Sequence, residues 1–422
     1  MMKQLNLSSR NVITLSVIGV LLLIGGFILT GAIPYIFPPE ASAESQQIDS
    51  LFRILLVIGG AIFFLVQGLL AYSVWKFRAK PGDMGDGEAV HGNTTLEIVW
   101  TAVPAVIVFI LTILSYQVFV SIQSPKQNEM VIKVQGARFN WAFTVEAPSK
   151  KDPSKIWDIQ SADLHTYVNR PVLLNMKPVD VIHGFWVPAF RLKQDLLPGR
   201  ETQVRFTPIE AGTYPLRCTV LCGGNHSLMT TSVIVYASET EYNTWLDSEV
   251  EKKDNPPADP VLRGRAILES KVYPCYTCHA ESDLGWTGNI GPSLNGVGDR
   301  AAAVRGTVTG QTAEEYLYTS VHNPSAYLVP GYGNLMPNLN LDECTARPIV
   351  AYLCTLTSSG TPACKVTLPA ECGVGGPAAE STAEATAEAT ASVKIEATVE
   401  VTAGAVAEAT AAPAPTSTPV SQ

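Results

Sequence analysis

Three nearly uncharged runs dominate the first 120 residues: Asn11 to Pro39, Ile54 to Trp75, broken only by Gln67 and Ser73, and Ile98 to Val120. Each is about 20 residues or longer, enough to cross a bilayer as a helix. One such run could be a buried core helix, but three in succession point to a membrane. Beyond Met130 the pattern shortens to MVIKVQG, PVLLNM, TQVRFTP, GTYPLRC and TTSVIVY, separated by turn residues at Gly136, Asn169-Arg170-Pro171, Pro198-Gly199 and Ala211-Gly212. Short β-branched runs between such turns predict a small antiparallel sandwich or barrel.

The pattern changes again at Thr240, where charged residues give way to prolines by Pro260, a linker signal. An amphipathic helix is expected from Val261 to about Val272, with Leu262, Ala266, Ile267 and Leu268 among its apolar positions. A last helix is expected from Asp342 to Leu356, kinked or begun by Pro348. From Gly373 the chain is AESTAEATAEATASV and similar, ending APAPTSTPVSQ, a composition without a packed core.

The resulting fold class is multidomain. Residues 1–43 form a signal peptide or anchor, 44–124 a transmembrane helical hairpin, 125–239 an all-β domain, 240–260 a linker, 261–360 an all-α domain, and 361–422 a cysteine-containing segment and disordered tail. Lys76, Arg78 and Lys80 crowd the start of the loop between the second and third runs, which places that loop in the cytoplasm. Everything after Ser121 then lies on the outer face of the cell membrane. Ala41-Ser42-Ala43 is an A-x-A pattern, so cleavage of the first segment is expected, with a retained anchor as the alternative.

Composition narrows the chemistry. The net charge of −9 is mild and its acid surplus lies in the C-terminal part, which sets nucleic-acid binding aside. Eight cysteines are few for a disulfide scaffold of this length. Cys344, Cys354, Cys364 and Cys372 bunch together and suggest two structural disulfides in an oxidising compartment. Cys344 and Cys354 lie about 15 Å apart on one helix, too far to bond each other. Each must take Cys364 or Cys372, and Cys354 to Cys364 is the shorter closure.

The other four cysteines sit in two motifs. CTVLCGGNHSLM, from Cys218 to Met229, offers two thiolates, the His226 imidazole and the Met229 thioether, soft and borderline donors that suit copper. A disulfide between Cys218 and Cys222 would leave the histidine and methionine unexplained, and methionine is not a usual zinc ligand. Gly223-Gly224-Asn225 and the flanking β-branched runs make this segment a loop between strands. CYTCH, from Cys275 to His279, is the pattern that attaches a c-type haem, with Cys275 and Cys278 as thioether donors and His279 as an axial ligand. His91, His165 and His322 have no motif support as metal ligands.

These segments resemble cytochrome c oxidase subunit II carrying a fused class I cytochrome c, the caa type of haem-copper oxidase. DVIHGFWVP (180–188), LKQDLLPGR (192–200) and HGNTTLEIVWTAVP (91–104) carry the resemblance beyond the copper loop. It implies a cupredoxin-like domain with a binuclear copper centre, CuA, bridged by Cys218 and Cys222. His183 and His226 would cap one copper each, Met229 would ligate one, and the Val220 carbonyl would complete the other. GPSLNGVG (291–298) and GYGNLMPNL (331–339) resemble the haem-edge turn and the loop that supplies Met336 as second axial ligand of haem c.

Two departures stand out. Val220 replaces the glutamate whose side chain helps hold a magnesium ion at the subunit I boundary, and Phe139 stands where a tryptophan receives incoming electrons. Glu97 matches a carboxylate at the mouth of a proton path, although an acid at a helix end has simpler explanations. The implied partners are oxidase subunit I, which holds haem and copper, subunit III, and an electron donor such as a cytochrome c or a quinol-oxidising complex. Electrons would pass from haem to copper to subunit I, where oxygen reduction and proton pumping occur. A quinol oxidase subunit would lack the copper ligands, a nitrous oxide reductase would need a large catalytic domain, and a copper carrier would need neither hairpin nor haem. A stand-alone anchored electron carrier for another reductase is the alternative.

Overall fold

The computed structural model describes residues 9–79, 81–82, 85 and 92–372. Lys80, His91 and the tail from Gly373 lie outside the described residues. The three apolar runs form helices α1 (Ser9–Thr30), α3 (Ala43–Phe77) and α4 (Thr94–Gln123), with a single turn α2 (Ile33–Ile36) after the first. Their flanks, including Phe63, Leu69, Val108 and Phe109, are exposed, as expected of surfaces solvated by lipid or by partner helices. The backbones of α1 and α3 come close where Gly26 meets Gly60, small residues suited to helix contact in a bilayer.

The sequence places the start of the second helix at Ile54, yet α3 begins at Ala43 and runs for 35 residues. That is about 52 Å, well beyond a hydrocarbon core of roughly 30 Å. The excess is at the outer end, where Glu44, Ser45 and Asp49 are buried against the β domain. Arg191 grips Asp49 with two hydrogen bonds of 2.9 and 2.6 Å, while Glu44 accepts from Lys126 and from the Thr207 amide. Paired and hydrogen-bonded in this way, charges tolerate burial.

The A-x-A tripeptide is part of this joint. Ala41 and Ser42 are fully buried, Ala41 and Ala43 donate to the carbonyls of Ala189 and Thr207, and Ser42 caps α3 in a reciprocal pair with Ser45.

The β domain is a sandwich of two five-stranded sheets. One has the order β3-β2-β1-β5-β8, from β1 (Met130–Ala137), β2 (Asn140–Pro148), β3 (Ile156–Ser161), β5 (Val172–Pro178) and β8 (Thr202–Phe206). The other runs β4-β10-β9-β6-β7, from β4 (Leu164–Tyr167), β6 (His183–Val187), β7 (Leu192–Leu196), β9 (Gly212–Cys218) and β10 (Thr230–Tyr236). Trp141, Phe185, Phe190, Phe206 and Leu216 fill the space between them. The expected antiparallel order is corrected at two places, since β1 pairs β5 and β10 pairs β4 in parallel. The chain between β1 and β5 is long enough for the crossover that a parallel pair requires.

The expected linker is mostly helix α5 (Glu239–Asp254). Ser238 caps it, Glu239 and Glu241 sit in its first turn, and Lys252 and Lys253 in its last, the charge order that a helix dipole favours. Its end is tied down by Asp254, which accepts from Ser149, the Lys150 amide and the Trp157 indole at 2.6 to 2.8 Å. Only residues 255–259, between α5 and the next helix, lack regular structure.

The C-terminal domain is built from α6 (Pro260–Glu269), the turn α7 (Cys275–Cys278), short pieces β11 (Ala280–Glu281), β12 (Trp286–Thr287), α8 (Val297–Arg300) and α9 (Gly306–Thr309), then α10 (Ala313–His322) and α11 (Glu343–Thr355). Pro348 lies inside α11 and is buried, and the helix crosses α6 where the Pro348 carbonyl meets Gly264. Cys354 bonds Cys364 and Cys344 bonds Cys372.

Candidate metal centre and haem cavity

The copper-type donors gather at one end of the second sheet. His183 opens β6, Cys218 closes β9, and Phe185 pairs with Cys218 across those strands, which brings the histidine beside the cysteine. The loop then turns back through a single 3-10 turn, His226–Leu228, and Met229 leads into β10. Its return is pinned by the Cys218 amide donating to the Met229 carbonyl at 3.0 Å.

The donor atoms converge. Cys218 Sγ lies 3.9 Å from Cys222 Sγ, 3.9 Å from His183 Nδ1 and 3.3 Å from the Val220 carbonyl. Cys222 Sγ lies 3.5 Å from His226 Nδ1 and 3.8 Å from Met229 Sδ. Neither thiol is in a disulfide, and His183, Cys218, Cys222 and Met229 are all buried. Two adjacent sulfurs, each with one imidazole, plus one thioether and one carbonyl, fit a pair of soft metal ions better than a single ion.

One residue of this site went unread in the sequence. Asp180 accepts from His183 Nε2 at 2.8 Å, so that Nδ1 is the nitrogen turned towards sulfur. Burial alone would raise the Asp180 carboxyl, but hydrogen bonds from His183, Arg138 and the Val181 amide hold it at about 2. A carboxylate that fixes the tautomer and orientation of a ligating histidine recurs in metal sites. The sequence signal was present as D-x-x-H. The two thiols differ: against its burial, hydrogen bonds from His183 and neighbouring amides lower Cys218, whereas burial and the Cys218 thiolate raise Cys222.

Phe139 sits with Arg138 in the turn between β1 and β2 and is buried. It touches the copper loop, because a Cβ at Gly223 would come within 3.0 Å of its ring. Glu97 is far simpler in its setting, exposed in the first turn of α4 and accepting from the Asn93 amide at 3.2 Å as a helix cap.

The second constellation lines an open, mainly apolar cavity. Cys275, Cys278, His279 and Met336 all face it, with an apolar wall that includes Leu294, Ile349 and Leu353. His279 Nδ1 donates to the Pro292 carbonyl at 2.7 Å, which leaves Nε2 as the ring nitrogen for a metal. Burial keeps this imidazole below its ordinary range, the neutral form that ligation needs. Gly291 is required here, since a Cβ would lie 2.6 Å from the His279 ring. His322 is not part of the lining, and its ring stacks on Tyr318 at 5.5 Å. Burial raises both Cys278 and Cys275, the latter to about 12. The apolar wall and donor set fit a haem.

Comparison with known proteins bears on the membrane helices and the β domain. The family described as "Cytochrome C oxidase subunit II, transmembrane domain" matches residues 31–118, and "Cytochrome C oxidase subunit II, periplasmic domain" matches residues 154–236. Cytochrome c oxidase subunit 2 of Thermostichus vulcanus is 34% identical over 290 residues, 56% of this chain and 85% of that protein. Cytochrome c oxidase subunit 2 of Alkalihalophilus pseudofirmus is 29% identical over 314 residues, 72% of this chain and 84% of that protein. The latter share exceeds what the residues before α6 could supply. Among solved structures, the periplasmic domain of subunit II of cytochrome oxidase from Bradyrhizobium japonicum aligns with 24% identity, covering 30% of this chain and 97% of that chain at a TM-score of 0.26.

Proposed function

The chain belongs to the cytochrome c oxidase subunit II family, an electron-transfer subunit of a haem-copper oxidase whose partner is subunit I, and from that premise we propose that it carries its own c-type haem ahead of a binuclear copper centre. The carrying observation is that two complete donor sets stand on one folded unit, one around Cys218 and Cys222 and one around the cavity of His279 and Met336.

Cys218 and Cys222 would bridge the coppers, His183 and His226 would cap them, and Met229 and the Val220 carbonyl would complete them. Bound there, the copper pair takes up and releases one electron. The protein's part is to hold these donors still: Asp180 fixes His183, and the strand pairing of β6 with β9 fixes Cys218. Cys275 and Cys278 would hold haem c by thioether bonds, with His279 and Met336 as axial ligands. A closed pair of axial ligands suits electron transfer and leaves no position for oxygen.

Oxygen reduction and proton pumping then belong to subunit I, with subunit III as a further membrane neighbour and a cytochrome c or quinol-oxidising complex as donor. Phe139 would serve as the contact through which electrons reach the copper loop. Glu97, at the cytoplasmic end of α4, would stand at a proton path of subunit I, and Val220 would leave the boundary magnesium without its usual carboxylate. Metal analysis of the purified full chain tests the reading. Two coppers and one covalently bound haem iron per chain are expected, and a chain that binds copper but no haem would reject the fused-cytochrome part.

A further inference from the structure

The two cofactor regions are joined by side-chain hydrogen bonds that neither motif announces. Asn140, buried at the start of β2, donates from Nδ2 to the carbonyls of Lys271 and Val272 at 3.0 and 2.8 Å and accepts from the Tyr276 hydroxyl at 3.0 Å. Asn225 donates from Nδ2 to the Thr277 carbonyl at 2.7 Å. Cys278 and Ile290 pack against the core of the β domain, and Arg138 of the β domain lines the haem cavity.

Asn225 has a special address. It is peptide-bonded to His226, and the carbonyl it reaches belongs to the peptide that joins Thr277 to Cys278. We propose that Asn225 is a positioning residue that bridges the haem-binding segment to the copper loop, so that electrons cross in this docked arrangement and not in a loose tethered encounter. The inference rests on the haem reading above.

Phe139 meets the copper loop at Gly223 across a van der Waals contact of about 3.5–4.0 Å, whereas the Asn225 bond gives a 2.7 Å donor to acceptor contact between covalent paths. Asn140 acts differently. Its three bonds clamp the domains without touching the copper loop. The exchange is a one-electron oxidation at the haem iron and a one-electron reduction at the copper pair, with no proton transferred and no covalent bond altered.

The test uses the full chain with both cofactors. The haem is photoreduced and the electron is followed to copper, in the wild type, in Asn225→Leu, which lacks the donor, and in Asn225→Gln, which keeps it. Asn225→Leu should slow the transfer about fivefold or more, the population change expected for one lost hydrogen bond, and Asn225→Gln should recover part of it. Hydrogen exchange across residues 275–279 should quicken in Asn225→Leu, while the haem and copper spectra stay native. Native spectra with an unchanged transfer rate in Asn225→Leu would overturn the bridge while leaving the haem reading intact. A purified chain without covalent haem would overturn both.

Discussion

The copper site and the proposed haem cavity offer donors to a redox metal in opposite ways. At the copper site the strands place the donors, and five of the donor contacts lie between 3.3 and 3.9 Å from protein folding alone. At the haem cavity the donors surround a large apolar space, and Met336 comes from a loop without regular structure. The copper donors are thus preorganised, whereas under the proposed reading a haem would itself fill the core of its domain.

The strongest way to break that contrast is to remove the cofactors separately. Replacing Cys275 and Cys278 together with alanine should eliminate covalent haem and lower the melting temperature of the C-terminal domain sharply, since its cavity loses the filler. The copper spectrum should remain, and haem staining on a denaturing gel with thermal unfolding checks both. Next in size is Gly291→Val. Its side chain overlaps the His279 ring, so a cost of about 1–3 kcal/mol and a disturbed low-spin haem spectrum are expected.

Asp180→Asn probes the copper side. It should weaken copper binding about 10–100-fold, as loss of a carboxylate behind a ligating histidine does elsewhere, and leave the haem spectrum unchanged. A competition titration with a copper chelator measures it, and equal loss of haem would contradict the separation of the two sites. The smallest effect concerns Asp254, whose carboxyl lies below its ordinary value because the bonds from Ser149, Trp157 and the Lys150 and Lys151 amides outweigh burial. A lowered folded pKa contributes stability above the unfolded carboxylate value, near about 4, and loses it as the pH falls further. Protection factors along α5, exchange corrected for the intrinsic rate at each pH, should therefore fall as the pH drops below about 4, and should depend less on pH in Asp254→Asn.

The ligand motifs were legible because their chemistry is local: cysteines, histidine and methionine at short spacing leave few other uses. The strands were legible only where β-branched residues cluster. HGFWV and LKQDL form β6 and β7 but carry aromatic, charged and glycine residues whose places are set by the sheets around them, and β2, β3 and β4 were missed for similar reasons. Helix α5 escaped notice because its charged residues surround it, and its hold on the β domain runs through Asp254, a contact no periodicity reveals. The outer turns of α3 were hidden by their polarity, since Glu44 and Asp49 look solvated until Lys126 and Arg191 are brought to them. Nothing in the sequence signals the contacts of Asn140 and Asn225 with the C-terminal domain. Their meaning comes from a domain contact between residues distant in the chain.

Electron paramagnetic resonance of the oxidised full chain, loaded with copper, tests the central claim most directly. The arrangement of Cys218 and Cys222 between His183, His226, Met229 and Val220 predicts hyperfine splitting from one unpaired electron shared equally by two copper nuclei. Splitting from a single copper nucleus would contradict it.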